Sequence, residues 1–142
     1  RLITVREGAS LADGKALTVT ALARDQAVAL VQDRAKRRRA VRGFEVDAAA
    51  RTFVTQAGMA AMFLQRTGHS LDADLLGAGA NLDDLEVKDT RTLVVGAGFT
   101  VGPALYEPGQ FGVRVEVSAY YGPAGLEVTT PMQEQVEVVL VP

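Results

Sequence analysis

The sequence has no cysteine, and aromatic residues make up only 6% of its 142 residues. The absence of cysteine excludes disulfide bonds, thiolate metal sites and cysteine nucleophiles. No apolar run approaches the roughly 18 residues that a membrane-spanning helix needs, and the first ten residues lack the apolar centre of a signal peptide. We therefore expect no membrane partner.

The chain has the length and composition of one domain. Hydrophobic residues make up 48% of it, and a chain of this size buries roughly two-thirds of the surface that it exposes when unfolded. No repeat or linker divides it. The pattern predicts a single α+β domain over residues 1–142, with two main helices packed on a mostly antiparallel sheet. Residues 1–91 are predicted to be mixed, and residues 92–142 to form antiparallel strands.

The first part of the chain predicts a hairpin followed by a helix. Two short strands are expected at residues 2–5 and 16–22, joined by an Asp-Gly turn at residues 13–14. A helix is expected from Asp25, because apolar residues then recur every three or four positions: Ala27, Val28, Val31 and Ala35. Residues 41–46 predict a further strand.

The clearest helical pattern follows Asp47, a suitable N-cap. Its apolar stripe comprises Ala50, Phe53, Val54, Ala57, Ala60, Ala61 and Leu64. Gly68 lies where a left-handed residue ends a helix. Gly58 stands beside small residues, which predicts the close approach of another backbone. The connection that follows predicts one short helical turn at residues 72–76.

The last part of the chain predicts a β-meander. Residues 111–121 alternate between apolar and polar, which is typical of one long, half-buried strand. Turns at residues 107–110 and 122–125 contain proline and glycine at the positions that β-turns favour. Residues 126–130 and 135–141 supply two more strands. The last of these is apolar on both faces, so it needs cover from its own fold or from another chain.

Two motifs resemble ligand sites but fail in their context. The glycines in residues 92–105 follow an apolar strand, as in a dinucleotide-binding turn, but Pro103 and a further strand leave no room for the helix that would hold the phosphates. Asp72, Asp74 and Asp83 partly match a calcium loop, but Leu76 occupies a ligand position. We expect no metal and no cofactor.

The sequence also contains few residues in patterns that are typical of catalysis. His69 is the only histidine, and it is predicted to lie on the surface after the glycine that ends the helix. The three serines, Ser10, Ser70 and Ser118, carry no nucleophile motif. The sequence therefore predicts a protein that is not an enzyme and that takes no small-molecule substrate.

Charge is distributed unevenly along the chain. Residues 1–46 carry ten basic and five acidic residues, a balance of +5, whereas residues 47–142 carry five and twelve, a balance of −7. The basic cluster within residues 34–42 comprises Arg34, Lys36, Arg37, Arg38, Arg39 and Arg42. A molecule polarised in this way can attract copies of itself or a polyanion.

These features favour a noncatalytic subunit of a larger homo-oligomeric assembly, for which a small virion protein of a tailed phage is the concrete hypothesis. Its partners would be copies of itself or other assembly subunits. The basic cluster would dock on acidic residues of a neighbour, and Tyr120 and Tyr121 would add aromatic contact area. The candidate acidic residues are Asp72, Asp74, Asp83, Asp84 and Glu86.

Two alternatives stay open. The basic cluster could bind nucleic acid through phosphates, although Phe44 is the only aromatic residue nearby. The third alternative is a small enzyme or a nucleotide-binding protein.

Overall fold

Two long helices pack against each other and against two antiparallel sheets in the computed structural model, which describes residues 11–37 and 39–131. The helices are α1 (Leu11–Lys36) and α2 (Gly43–Gln56), followed by a single 3₁₀ turn at Ala60–Met62. The predicted α+β fold is confirmed. No described helix is long and apolar enough to span a membrane.

Within the described residues, six strands follow the helices. They are β1 (Ser70–Leu71), β2 (Gly98–Val101), β3 (Ala104–Glu107), β4 (Phe111–Arg114), β5 (Val117–Gly122) and β6 (Gly125–Val128). A four-stranded sheet has the order β1-β2-β5-β6, and β3 pairs with β4 in a separate sheet; every pairing is antiparallel. Helix α1 contacts strands of both sheets.

The predicted turn at residues 13–14 and strand at residues 16–22 are wrong, because α1 already begins at Leu11. Its buried stripe continues in steps of three and four residues through Ala16, Val19, Ala23, Ala27 and Val31. Two β-branched residues are accommodated because their hydroxyls bond to carbonyls one turn earlier, Thr18 to Gly14 at 3.0 Å and Thr20 to Ala16 at 2.7 Å. The predicted strand at residues 2–5 lies outside the described residues.

Helix α2 begins and ends earlier than predicted. Residues 41–46 do not form a strand: Arg42 is the N-cap, and its N–H donates to Glu45 Oε2 at 2.9 Å. Asp47 is therefore not the N-cap but lies fully buried within the helix. The helix ends at Gln56, and Gly58 follows with a left-handed φ of +77°.

The close approach predicted at Gly58 occurs at Gly68 instead. A Cβ atom on Gly58 would have no neighbour within 4 Å, whereas one on Gly68 would lie 2.9 Å from the carbonyl carbon of Thr100 and closer still to its oxygen. Gly68 therefore does not end a helix; it lets two backbone segments meet beside β1. Residues 72–76 form bends rather than the predicted helical turn.

The predicted long strand over residues 111–121 is divided into β4 and β5, which belong to different sheets. The turns on either side are confirmed. Gly109 has φ +76° and Gln110 N–H bonds to Glu107 O at 2.9 Å, while Gly122 pairs with Gly125 across the β5–β6 turn. The predicted strand at residues 135–141 lies outside the described residues.

Candidate active site

The four-stranded sheet has one apolar and one polar side. Phe99 pairs with Ala119, and both are buried in the core. The intervening pair, Thr100 and Ser118, projects to the opposite side, because successive residues of a strand alternate between faces. We call this opposite side the polar face.

His69 extends the pairing of β1 with β2 by one residue. Its carbonyl oxygen accepts the N–H of Thr100 at 2.8 Å, and its own N–H donates to Thr100 Oγ1 at 3.2 Å. The half-buried His69 therefore lies in one row with Thr100 and Ser118. It is not the surface residue after a helix that the sequence predicted.

The hydrogen bonds of His69 define its tautomer. Nδ1 lies 2.9 Å from the carbonyl oxygen of Ser70. Because a carbonyl oxygen can only accept, we assign the hydrogen to Nδ1, which leaves Nε2 of the neutral ring as a hydrogen-bond acceptor. An imidazole oriented in this way can take up a proton or a ligand at Nε2.

A carboxylate occupies the next row of the polar face. Gly102 is two residues beyond Thr100 on the same face, and a Cβ atom placed on it would lie 2.6 Å from Glu116 Cβ and 2.7 Å from Glu116 Oε2. The Glu116 side chain therefore packs directly over Gly102. Glu116 also forms a partly buried ion pair with Arg114, which fixes the carboxylate in place.

The basic cluster predicted from the sequence is partly engaged within the chain. Arg34 pairs with Glu45 at 3.2 Å, and Arg37 pairs with Asp33 at 2.9 Å. Arg38 lies outside the described residues. The exposed members of the cluster are Lys36, Arg37, Arg39 and Arg42.

The predicted acidic residues mainly stabilise their own loop. Asp83 is 1% exposed, and its Oδ1 accepts the N–H groups of Leu85 at 2.9 Å and Glu86 at 3.0 Å. Bonds from the N–H groups of Ala78 and Asp74 lower the pKa of Asp72. Asp84 and Glu86 form long ion pairs of 3.9 Å, with Lys88 and Arg66 respectively, and Asp74 is exposed. Within the described part of the chain, no ion pair joins the basic cluster to these acids.

The two predicted contact tyrosines face opposite sides of the sheet. Tyr120 is 41% exposed on the polar face, opposite Glu127, whereas Tyr121 is 8% exposed and belongs to the core. Contact through Tyr120 with another molecule remains a prediction.

Solved structures that share this fold include several peptidases. Dipeptidase PepE from Mycobacterium ulcerans matches with a TM-score of 0.77 and 26% identity over 93% of this chain and 33% of that chain. A prolidase from Thermococcus sibiricus matches with a TM-score of 0.77 and 25% identity over 94% and 34% of the two chains. X-Pro aminopeptidase from Thermotoga maritima, with a TM-score of 0.79 and 23% identity over 98% and 36%, shows the fold alone.

The sequence itself places the chain in a family. The model of metallopeptidase family M24 matches residues 8–120, and this protein belongs to that family. A probable dipeptidase PepE from Mycobacterium tuberculosis is 36% identical over 77 residues, which cover 51% of this chain and 18% of the relative. The chain thus spans about a third of the similar solved structures and less than a fifth of that relative.

The functional predictions made from the sequence are therefore wrong. Membership of a peptidase family contradicts a noncatalytic assembly or virion subunit, and it contradicts the expectation of no enzyme and no small-molecule substrate. It equally fails to support the nucleic-acid alternative. An enzyme, the third alternative above, is the class of protein that the family indicates.

The family description implies a metal ion, but the described residues do not fit one. No group of three or more histidine, cysteine, aspartate or glutamate side chains within residues 11–37 and 39–131 is arranged to hold a metal. His69 is the only histidine of the chain, Glu116 is bound to Arg114, and Gly102 beneath it offers no donor side chain. We therefore assign no catalytic step to a metal on these residues.

Glu116 was missed as a candidate site residue because its contact with Gly102 exists only in three dimensions. His69 was missed because β1 is too short to show a period. A strand of two residues cannot show an alternation of apolar and polar side chains, and its partner β2 lies about 30 positions later in the sequence. The one available signal was the lone histidine directly after a glycine, a residue that permits close backbone contact.

Proposed function

We propose that this chain forms part of the active site of a peptidase that hydrolyses short peptides, and that its polar face contacts the substrate. The match of residues 8–120 to metallopeptidase family M24 carries this proposal. The similarity to a probable dipeptidase supports a substrate of a few residues. Because the chain covers about a third of its structural relatives, the activity is proposed for the longest natural polypeptide that contains residues 1–142.

The polar face offers groups that suit a peptide. A peptide bond presents one N–H donor and one carbonyl acceptor, and hydrolysis moves a proton from water to the departing amine. Nε2 of His69 is an acceptor in the assigned tautomer, so it can receive a proton during this transfer. Ser118 places a half-buried hydroxyl group in the same row, where it can bond to the substrate backbone, whereas the buried Thr100 supports the His69 backbone.

The test is hydrolysis of a dipeptide series by the longest natural polypeptide. Xaa-Pro and Xaa-Ala dipeptides would be compared with and without added divalent cations, and free amino acids would be measured by chromatography. We expect cleavage by the wild type and a loss of kcat of roughly 100-fold or more in His69→Gln, because general acid–base groups contribute about 10²–10⁴-fold.

Thr52→Ala is the matched control, since Thr52 is exposed on α2 and away from the polar face. It should cleave like the wild type. Absence of cleavage across the whole series would overturn the proposed function, and unchanged cleavage by His69→Gln would remove His69 from the mechanism.

A further inference from the structure

A buried carboxylate anchors the segment that leads into His69. Asp47 of α2 is fully buried, and its Oδ1 accepts both the backbone N–H of Thr67 at 2.8 Å and the Thr67 hydroxyl at 2.6 Å. Its Oδ2 accepts the N–H of Asp84 at 3.1 Å and Nε of Arg51 at 2.8 Å. A buried charge is tolerated when it is paired and hydrogen-bonded in this way.

Arg51 connects the same carboxylate to the start of the segment. Its guanidinium donates to the carbonyl oxygens of Phe63 at 3.1 Å and Gln65 at 2.9 Å, and it lies 4.1 Å from the centroid of the Phe63 ring. Residues 63–67 are thus attached to α2 at several points by one ion pair. They have no regular secondary structure of their own to hold them.

The anchored segment continues directly into the polar face. Thr67, which Asp47 holds, also accepts the N–H of Gly102 through its carbonyl oxygen at 2.7 Å. His69 follows two residues later and pairs with Thr100. A displacement of Thr67 must therefore change how His69 lies against β2 and Ser70, since only Gly68 separates the two residues.

From this chain of contacts we infer that Asp47 is a positioning residue: through Thr67 it fixes the orientation and tautomer of the His69 imidazole. The inference rests on the proposed function only in treating His69 as the working imidazole. Both Asp47 oxygens serve as acceptors at the helix–loop junction: Oδ1 binds Thr67, and Oδ2 binds the N–H of Asp84 and Nε of Arg51.

The lone histidine allows a direct test. Long-range ¹H–¹⁵N spectra of the 15.0 kDa chain would contain the signals of a single native imidazole, whose ¹⁵N shifts report the tautomer. In Asp47→Asn, one carboxylate oxygen becomes an amide donor and cannot accept from the loop. We expect the Nδ1–H form of the wild type to give way to a mixture of tautomers.

Val54→Ala is the matched control, because Val54 is fully buried on the same helix but has no bond to the loop. It should lower the melting temperature and leave the imidazole signals in place. If Asp47→Asn does not fold, Thr67→Val serves instead: it removes the hydroxyl bond to Asp47 and keeps the backbone N–H. Imidazole signals identical to wild type in the folded variant would overturn the inference.

Activity separates this inference from the proposed function. With a dipeptide that the wild type cleaves, Asp47→Asn should reduce kcat by about 10- to 100-fold and change KM little, by analogy with the residues that orient metal-binding histidines. A tautomer change without any peptidase activity in the wild type would retain the positioning role and reject the proposed function. Activity that is lost in His69→Gln but unchanged in Asp47→Asn would retain the proposed function and reject the positioning role.

Discussion

Single glycines set the geometry of the polar face. At Gly68 the backbone passes so close to Thr100 that no side chain fits between them, and at Gly102 the Glu116 side chain fills the space that a Cβ atom would need. Neither glycine needs a left-handed φ; both are required by close contact. The geometry of the polar face therefore requires glycine at both positions.

We expect Gly68→Ala to destabilise the protein by at least about 2 kcal/mol, because the added methyl group meets the Thr100 backbone, which cannot rotate away. The same change should separate His69 from Thr100. Urea unfolding followed by circular dichroism would measure the loss. A stability equal to wild type would show that β1 and β2 are not in contact at this point.

The first part of α1 was wrongly predicted as a turn and a strand, and a substitution at Gly14 tests whether this part of the chain is helical. In the predicted hairpin, the Asp-Gly turn would need a glycine with positive φ, so Gly14→Ala would destabilise. In the helix, Gly14 is exposed with nothing within 4 Å of a new Cβ atom. We therefore expect a stabilisation of about 0.5–1 kcal/mol, seen as a higher urea midpoint; a lower midpoint would contradict the helix.

The turn that covers the start of α2 should make the fold sensitive to acid. The pKa of Asp89 is lowered from 3.8 to about 2, chiefly by the bond from the Arg91 side chain and also by backbone bonds from Asn81 and Arg91, which together outweigh the opposing effect of burial. Asp89 also accepts the N–H of Phe44 through its carbonyl oxygen at 2.9 Å, so the turn is tied to α2.

Because the folded pKa is lowered, this stabilisation is complete above about pH 4 and is lost as the pH falls towards 2. The exposed Arg91 partner weakens it by solvent screening, so we expect about 1 kcal/mol. Asp89→Asn should be less stable than wild type at pH 6, and the difference should shrink by pH 2.5. A constant difference in the free energy of unfolding across that range would exclude the ion pair as its cause.

At the scale of the whole molecule, residues 11–37 and 39–131 hold too few clustered donor side chains for the metal that the family description implies. We expect the chain of residues 1–142, loaded with Mn²⁺ and then desalted, to retain well under one equivalent by elemental analysis. Retention of one equivalent that is lost in His69→Gln would contradict this. Asp72→Asn is the control for adventitious binding by the exposed acidic loop.

The uneven charge of the whole chain was interpreted as an attraction between molecules, but much of it has local uses. Glu45 caps α2 and pairs with Arg34, while Asp83 and Asp89 hold turns. These acidic residues cannot be recognised as partners of local groups in the sequence, but in the fold they form ion pairs and hydrogen bonds within the chain. Contact between the exposed basic residues and another molecule remains a prediction.

The sequence by itself determined the α+β class, the existence of both helices and the turns at residues 107–110 and 122–125. These features depend on local chemistry: apolar spacing along a helix, and the backbone conformations that proline and glycine allow. The sequence also excluded cysteine chemistry.

Only the tertiary structure decided where α1 begins, how residues 111–121 divide between two sheets, and which residues form the polar face. Each of these depends on contacts between distant segments. Burial of Ala16, Val19 and Thr20 favours helix over hairpin in this part of the chain. The pairing of β1 with β2 brings His69 next to Thr100 across about 30 residues. Such long-range pairing leaves no periodic trace in a short strand, because its energy comes from the partner strand and not from its own residues.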